Sequence, residues 1–368
     1  MQRTTPPFRA DQVGSILRTA PLKEARAKHE RGEIDDAALK AVEDTEIKKI
    51  IKHQEDVGLK SITDGEFRRS WWHFDFLEKL DGVEGYQASH GIQFAGVETR
   101  PKAVRIVGKV AFSNHPMIEH FKFLKANTKE TAKMTIPAPS VLHFRGGRKG
   151  ISKEIYPDLD QFFNDLGAAY NKAVKAFYDA GCRYLQLDDT VWAYLCSEKE
   201  LKLAKERGDD PEQLPMLYAR TINQALAGHP ADMTVTTHVC RGNFRSTWVS
   251  EGGYEPVAER LFSEVNYDGY FLEYDNDRSG GFEPLRFVPK GKKQVVLGLV
   301  TSKTGELEKK DDLKRRIEEA TKYVALEQLC LSPQCGFAST EEGNMLTEEQ
   351  QWAKLRMIVD VTHEVWGK

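Results

Sequence analysis

Apolar positions along the chain switch between two periods. AALKAVEDTEIKKIIKHQEDVG and DLDQFFNDLGAAYNKAVKAFYDAG space them three or four apart, as an amphipathic helix does. Each runs into a short β-rich segment, LKSITDGE and CRYLQLDD. GYEPVAERLFSEVNYDG before YFLEYD repeats the phrase. Gly58, Gly181 and Gly269 stand where these helices would stop in a left-handed residue. Strand segments are predicted at 12–17, 59–64, 132–137, 183–188, 233–238, 269–273, 293–300 and 328–333. Helical stretches separate most of them, notably 310–327, and a last helix is predicted over 347–366.

Alternating strands and helices predict a parallel sheet. Eight such units predict an α/β fold of the closed (β/α)8 TIM barrel kind, with chemistry at the C-terminal strand ends. An open doubly wound sheet is the second choice, disfavoured because no glycine-rich nucleotide fingerprint follows the first strand. Segment 70–125 is too long for one crossover helix. It holds WWHFDFLEKLDG and a further strand-like run, VRIVGKVAF, so it reads as an insertion between strands 2 and 3 that walls one side of the site. No Gly/Ser linker divides the sequence, and residues 1–368 read as a single barrel domain.

Composition narrows the setting. Of 368 residues, 40% are hydrophobic and 30% charged, which suits a large buried core. A net charge of -3 leaves no nucleic-acid footprint. No apolar run approaches a membrane span, and MQRTTPPFRADQVGSILRT lacks the apolar middle of a signal peptide, so a cytoplasmic location is expected. Five scattered cysteines, an odd number, argue for free thiols or metal ligands over a disulfide framework. Cys182 and Cys330 read as packing residues, and Cys196 is left open.

Four residues stand out at strand ends: His238 and Cys240 in TTHVCRGNF, Glu273 in YFLEYD and Cys335 in LSPQCGF. His238 and Cys240 are two apart, so they share a face. An HxC pair alone is a weak pattern; the joint placement at one mouth of a barrel carries the set. Together they offer a nitrogen, two sulfurs and an oxygen, a complete tetrahedral shell for Zn2+. Two thiolates and a carboxylate make an electron-rich zinc, better suited to holding a thiol as thiolate than to activating water. Glu273, the hardest donor, is the ligand expected to give way to substrate. A second group comprises Gly14 and Ser15 in QVGSILRT, Asp64 and Glu66 in ITDGEFRRSWW, and Asp188 and Asp189 in LQLDDTVW. Carboxylates there could grip an ammonium, and N–H groups around Ser15 a carboxylate, while one acid of each pair is expected to cap the following helix. Beside a metal, this reads as an amino-acid pocket.

In this order the motifs resemble the catalytic barrel of the cobalamin-independent methionine synthase family, over nearly the whole chain. VGS with the following RT resembles its strand-one motif for the amino-acid carboxylate. DGEFRR resembles its HGE motif and LQLDD its QIDE motif, whose acids, here Glu66 and Asp188, bind the substrate amine. THVC, the Glu of FLEYD and SPQCG resemble its zinc motifs. The resemblance implies zinc held by His238, Cys240, Glu273 and Cys335, with Ser15, Glu66 and Asp188 binding substrate and Glu66 and Asp188 as the catalytic acids. It implies a methyltransferase of methionine biosynthesis acting on the homocysteine thiol, with methylfolate or a methyl-corrinoid as donor.

The chain departs from the family pattern in three ways. It resembles the short, single-barrel branch. It has Thr301 in LVTS where the family has a histidine, and LHFRG, with His143 and Phe144, where the family has a tryptophan-containing folate segment. Trp71, Trp72 and Phe144 are candidates to stack on a flat donor, and Arg241, Arg245 and Lys303 to meet its acidic groups. The alternative is alkyl transfer to another thiol, as in the epoxyalkane:coenzyme M transferase that this branch also resembles. Keeping both Glu66 and Asp188 favours an amino-acid thiol. A zinc hydrolase and a zinc-stabilised binding protein are further alternatives from other classes. The expected partners are small molecules, with no nucleic acid and no membrane, and the oligomeric state is open.

Overall fold

The computed structural model describes residues 3–367. Seven parallel strands form one sheet in chain order: β1 (Ser61–Ile62), β2 (Thr131–Pro137), β3 (Tyr184–Asp188), β4 (Thr234–Val239), β5 (Gly269–Glu273), β6 (Gln294–Val300) and β7 (Leu329–Pro333). Every residue of β3, β5, β6 and β7 is buried, as expected for strands covered on both faces. Helices pack outside them. In Leu159–Asp179 the buried positions Phe162, Leu166, Tyr170, Val174 and Phe177 recur at helical spacing, and Asp158 caps the first turn by accepting from the Asp160 N–H. The last helix, Glu348–Trp366, opens with a reciprocal capping box between Thr347 and Gln350.

The first expected strand, 12–17, is not a ladder strand. It makes one parallel bridge, Ala10 to Leu331 of β7, before Ile16 N–H turns to Gly65 O at 3.1 Å. The segment still lies between β7 and β1, and the sheet curls around it. Side chains replace the missing rungs: Gln12 Nε2 donates to Ser61 O at 3.2 Å, Ser61 Oγ to Asp11 Oδ1 at 2.7 Å and Gln186 Nε2 to Val13 O at 2.8 Å. Gly14 interrupts strand geometry with φ +151°, and a Cβ there would stand 2.7 Å from Thr135 Cγ2. β1 is correspondingly reduced to two residues.

Gly58 and Gly181 take positive φ, +94° and +95°, after their helices. Gly269 does not. Its preceding helix ends in a wider turn at Arg260–Glu264, leaving residues 265–268 to straighten the chain, and Gly269 begins β5. The helix expected over 310–327 ends at Ala320, and a 3-10 turn follows at Leu326–Gln328.

Between β1 and β2 the chain leaves the sheet. Strand Asp81–Gln87 pairs antiparallel with Lys102–Ala111, a small hairpin joins Gln93–Phe94 to Val97–Glu98, and helix Met117–Asn127 returns the chain. Among the described residues no helix is long and apolar enough to cross a membrane.

Candidate active site

The ends of β4, β5 and β7 bring four ligand-type side chains together. His238 stands in β4 opposite Asp188 and Phe271, and Cys240 follows one residue past the strand. Glu273 ends β5 opposite Gly298, and Cys335 lies two residues beyond β7. Their ligand atoms all lie within 4.8 Å of one another, and all four residues are buried. The two sulfurs are 3.4 Å apart. That is far beyond a disulfide bond of about 2.05 Å. It is near the roughly 3.7 Å that two zinc–sulfur bonds of about 2.3 Å impose at a tetrahedral angle.

The donor set also fits a cation by what it leaves unpaired. Both nitrogens of His238 and Oε2 of Glu273 are buried with no hydrogen-bond partner. Buried polar atoms are rarely unpaired, and three in one cluster match a metal's requirements. The remaining donor atoms are held: Gly242 N–H donates to Cys240 Sγ at 3.2 Å, and Arg241 N–H to Glu273 Oε1 at 3.3 Å. The hydrogen bond between the thiols holds Cys335 well below the ordinary thiol range and Cys240 well above it. Burial pushes the Glu273 carboxyl up, opposed by Lys303 and Arg241.

A cleft joins this cluster to the second group of residues. His238, Cys240 and Cys335 line it together with Ser15, Glu66 and Asp188. Glu273 is fully buried outside the lining. Glu66 holds a left-handed backbone, φ +60°, which is unfavourable for a side-chain-bearing residue and concentrates at functional positions. Its Oε1 accepts from Thr135 Oγ1 at 2.9 Å, while Oε2 is buried and unpaired. Asp188 Oδ1 accepts from Gln186 Nε2 at 2.7 Å. Burial pushes the Asp188 carboxyl up to about 7 and raises Glu66 as well. Two desolvated carboxyls in one cleft call for a cationic ligand.

The other acid of each pair serves its own turn. Asp64 Oδ1 accepts from Glu66 N–H at 2.9 Å, and Asp189 accepts from Val191 N–H at 3.0 Å and Ser140 Oγ at 2.7 Å. Ser15 Oγ accepts from Ala338 N–H at 3.2 Å. The loop after Cys335 passes so close that a Cβ on Gly336 would overlap Ser15 Oγ.

The candidates for a flat, acidic second substrate divide. Trp71 and Trp72 line the cleft. Phe144 does not: helix Pro139–Phe144 is buried throughout, and the ring packs 5.7 Å from Tyr194 with Arg207 over it. His143 is tied to Tyr218 OH at 2.8 Å. Arg241 is buried and bonds Gly252 O and Tyr254 OH. Lys303 is buried 3.3 Å from Asn243 Oδ1. Arg245, left-handed at φ +47°, lines a separate outer hollow with Arg100 and Glu341. The expectation that these three cations meet a donor is therefore not met for Arg241 and Lys303, whose burial lets them compensate Glu273 instead. Thr301 braces its loop, accepting from Lys303 N–H at 3.2 Å.

All five cysteines are free; Cys182 and Cys330 are buried, and Cys196 donates to Trp192 O at 3.3 Å. Residues the sequence patterns do not single out include Asn243, His73, Arg145 and the hairpin bearing Phe94. The hairpin has a visible signal, an Ala-Gly turn between β-prone pairs. Phe94 packs 5.5 Å from Phe244, and Ala95 N–H donates to Trp248 O at 2.9 Å, so the hairpin spans the cleft.

These features define an α/β protein with a sulfur-rich metal-type cluster at its strand ends, opening on an acid-lined cleft. Residues 8–364 match the family model described as cobalamin-independent synthase, catalytic domain, and the chain belongs to that family. It is 56% identical to the uncharacterized protein YxjG of Bacillus subtilis (strain 168), over 100% of this chain and 97% of that one. It is 26% identical to a methionine synthase of Pyrococcus abyssi, covering 88% of this chain and 84% of that protein. A crystal structure from Listeria monocytogenes, described as a candidate vitamin-B12 independent methionine synthase, superposes with a TM-score of 0.82 at 50% identity over the full length of both chains.

Proposed function

We propose that this protein is a zinc-dependent S-methyltransferase that moves a methyl group to the thiol of homocysteine and forms methionine. One observation carries the reading: the His238–Cys240–Glu273–Cys335 cluster and the acids Glu66 and Asp188 open on the same cleft. Those four side chains would hold the zinc. When bound, it supplies acidity to a substrate thiol, keeping it as thiolate at neutral pH.

The protein's own groups do the rest. Glu66 and Asp188, as carboxylates, take the substrate ammonium, and N–H groups around Ser15 take its carboxylate. Fixing the amino acid by its head aims its side chain at the sulfur-rich end. Trp71 and Trp72 narrow the opposite wall and offer a flat surface to the methyl donor, a methylfolate or a methyl-corrinoid. The thiolate sulfur then bonds to the methyl carbon while the carbon–donor bond breaks, its electron pair leaving with the donor. Holding both reactants converts a bimolecular displacement into a nearly unimolecular one. The same reading takes segment 10–16 as the eighth stave of a (β/α)8 barrel formed by residues 1–368 as one domain. A cytoplasmic location belongs to the same reading, because thiols that bind metal need a reducing compartment.

Methionine formation tests this directly. The protein is incubated with homocysteine and, separately, methyltetrahydrofolate, its triglutamate and methylcobalamin. Coenzyme M serves as a competing acceptor. Methionine should form with at least one donor, stop with a strong chelator and return with added zinc. No methionine from any donor, or alkylation of coenzyme M in preference to homocysteine, overturns the reading.

A further inference from the structure

Three lysines are buried among the described residues. Two sit on carboxylates, Lys133 on Asp11 at 3.3 Å and Lys354 on Glu308 at 3.0 Å. Lys303 forms no ion pair among those residues, and its ammonium makes one hydrogen bond, to Asn243 Oδ1 at 3.3 Å. The loop that carries it is fastened on both sides: Ser302 Oγ donates to Gly336 O at 3.0 Å, and Asn344 Nδ2 donates to Ser302 O at 2.8 Å. Asn243 is fixed in turn, since its Nδ2 donates to Gly336 O at 2.8 Å and to Ser339 Oγ at 3.1 Å. Lysine is rarely buried unless paired, so a rigidly held, unpaired one calls for an anion nearby.

Its place in the sheet says which anion. Lys303 lies three residues past β6, and β6 runs between β5, which ends in Glu273, and β7, which leads to Cys335. Burial raises the Glu273 carboxyl, and among the charges that oppose this Lys303 comes first, ahead of Arg241. Lys303 acts on both thiols as well. Arg241 adds a second cation, its Nη1 4.0 Å from Glu273 Oε2. The charges beyond them cancel in pairs: Asp275 faces Arg278 at 3.6 Å, and Glu66 faces Arg69 at 3.7 Å. Asp188 is left for the substrate ammonium. Zinc among two thiolates and a carboxylate would leave one net negative charge. Lys303 and Arg241 turn that into one net positive charge. A net charge sealed from water is costly, so the resting pocket lacks one anion.

We propose that Lys303 is the counter-ion for the substrate sulfur, leaving the pocket one anion short so that it holds a thiolate and lets go of a thioether. A thiol that enters gives its proton to the solvent, and its sulfur brings the missing negative charge. Once the sulfur has bonded to a methyl group it is neutral, the excess positive charge returns, and the product loses its hold. Substrate and product share the amino-acid head that Glu66, Asp188 and the N–H groups around Ser15 grip, so the head cannot tell them apart. The charge on sulfur can. The count is of charges in the pocket, so it holds whichever of them touch the metal. Lys303 is thus a positioning residue that sorts substrate from product. The inference rests on the methyltransferase reading and adds how that site would discriminate between its two amino acids.

The test measures binding of homocysteine and of methionine to the zinc-loaded full chain by calorimetry. Lys303→Met removes the charge and keeps the stem, and Lys303→Arg keeps the charge. An opposite charge a few ångströms away shifts an ionisation by about one pKa unit or more, a tenfold change in affinity. Homocysteine affinity should fall about tenfold or more in K303M and stay near wild type in K303R. Methionine affinity, zinc content and melting temperature should stay at wild-type values in both. An equal loss for homocysteine and methionine overturns the inference, because it marks a structural role. So does a loss of homocysteine affinity in K303R as large as in K303M, or a K303M protein that cannot hold zinc. A second pair of probes, 2-mercaptoethanol and its S-methyl ether, lacks the amino-acid head. If K303M weakens only the thiol of that pair while wild type fails to bind homocysteine, the counter-ion stands and the homocysteine reading falls. No preference for the thiol over its ether in wild type overturns the counter-ion.

Discussion

The two sides of the cleft are built by different means. On the side of β3 to β7, functional residues stand at the ends of regular ladders, and each position follows from register: His238 lies opposite Asp188 because β3 and β4 pair in step from Tyr184 and Thr234. On the side of segment 10–18 and β1 there is almost no ladder. Ser15 and Glu66 are held by side chains instead. The Arg18 guanidinium donates to Ala338 O and Glu66 O at 2.8 Å and to Arg69 O at 2.9 Å, tying three loops together. Arg69 reaches Thr135 O of the neighbouring β2, and Thr63 Oγ1 donates to Gly14 O at 2.6 Å. Ladder-built positions share their support among many backbone bonds. Clamp-built positions concentrate it in a few buried polar residues.

That contrast gives graded expectations. The largest effect lies on the ladder side and is chemical. Cys335→Ser or His238→Ala should lower methyl transfer by roughly a thousandfold, because a catalytic metal is worth several kcal/mol. The melting temperature should change little, since the strands do not depend on the cluster. A collapse in melting temperature in these variants would instead make the metal structural. Next comes the clamp side, where Arg18→Met strands several buried carbonyls and should cost about 3 kcal/mol in denaturant unfolding. A loss no larger than that of an exposed arginine would remove the contrast.

Asp188→Asn should raise the homocysteine KM about thirtyfold, the worth of roughly 2 kcal/mol for a charged hydrogen bond, with zinc content kept. Zinc loss in that variant would move Asp188 into the metal shell. The smallest effect is Phe144→Leu. The ring is buried away from the cleft, so about 1 kcal/mol of stability should be lost with donor affinity unchanged.

The same contrast explains what was legible in the sequence. Predicted strands 183–188, 233–238, 269–273, 293–300 and 328–333 differ by at most one residue at each end from Tyr184–Asp188, Thr234–Val239, Gly269–Glu273, Gln294–Val300 and Leu329–Pro333. Strands buried on both faces appear as continuous apolar runs with sharp ends, so residues at those ends, including His238 and Glu273, could be placed. Segment 12–17 looks equally apolar but makes its bonds through Gln12, Asp11 and Gln186, contacts between distant residues that no local pattern carries. Phe144 was misplaced because helix Pro139–Phe144 is buried on every side, and its sequence does not reveal which face meets a cavity. The unpaired, buried Nδ1 of His73 was invisible for the opposite reason: a missing partner is shown only by three-dimensional packing.

X-ray absorption at the zinc edge, together with metal stoichiometry, tests the central claim most directly. The account predicts one zinc per chain with two sulfur ligands near 2.3 Å and two nitrogen or oxygen ligands near 2.0 Å, and loss of metal or of one sulfur in Cys335→Ser. A protein that takes up no zinc, or a zinc shell without sulfur, contradicts it.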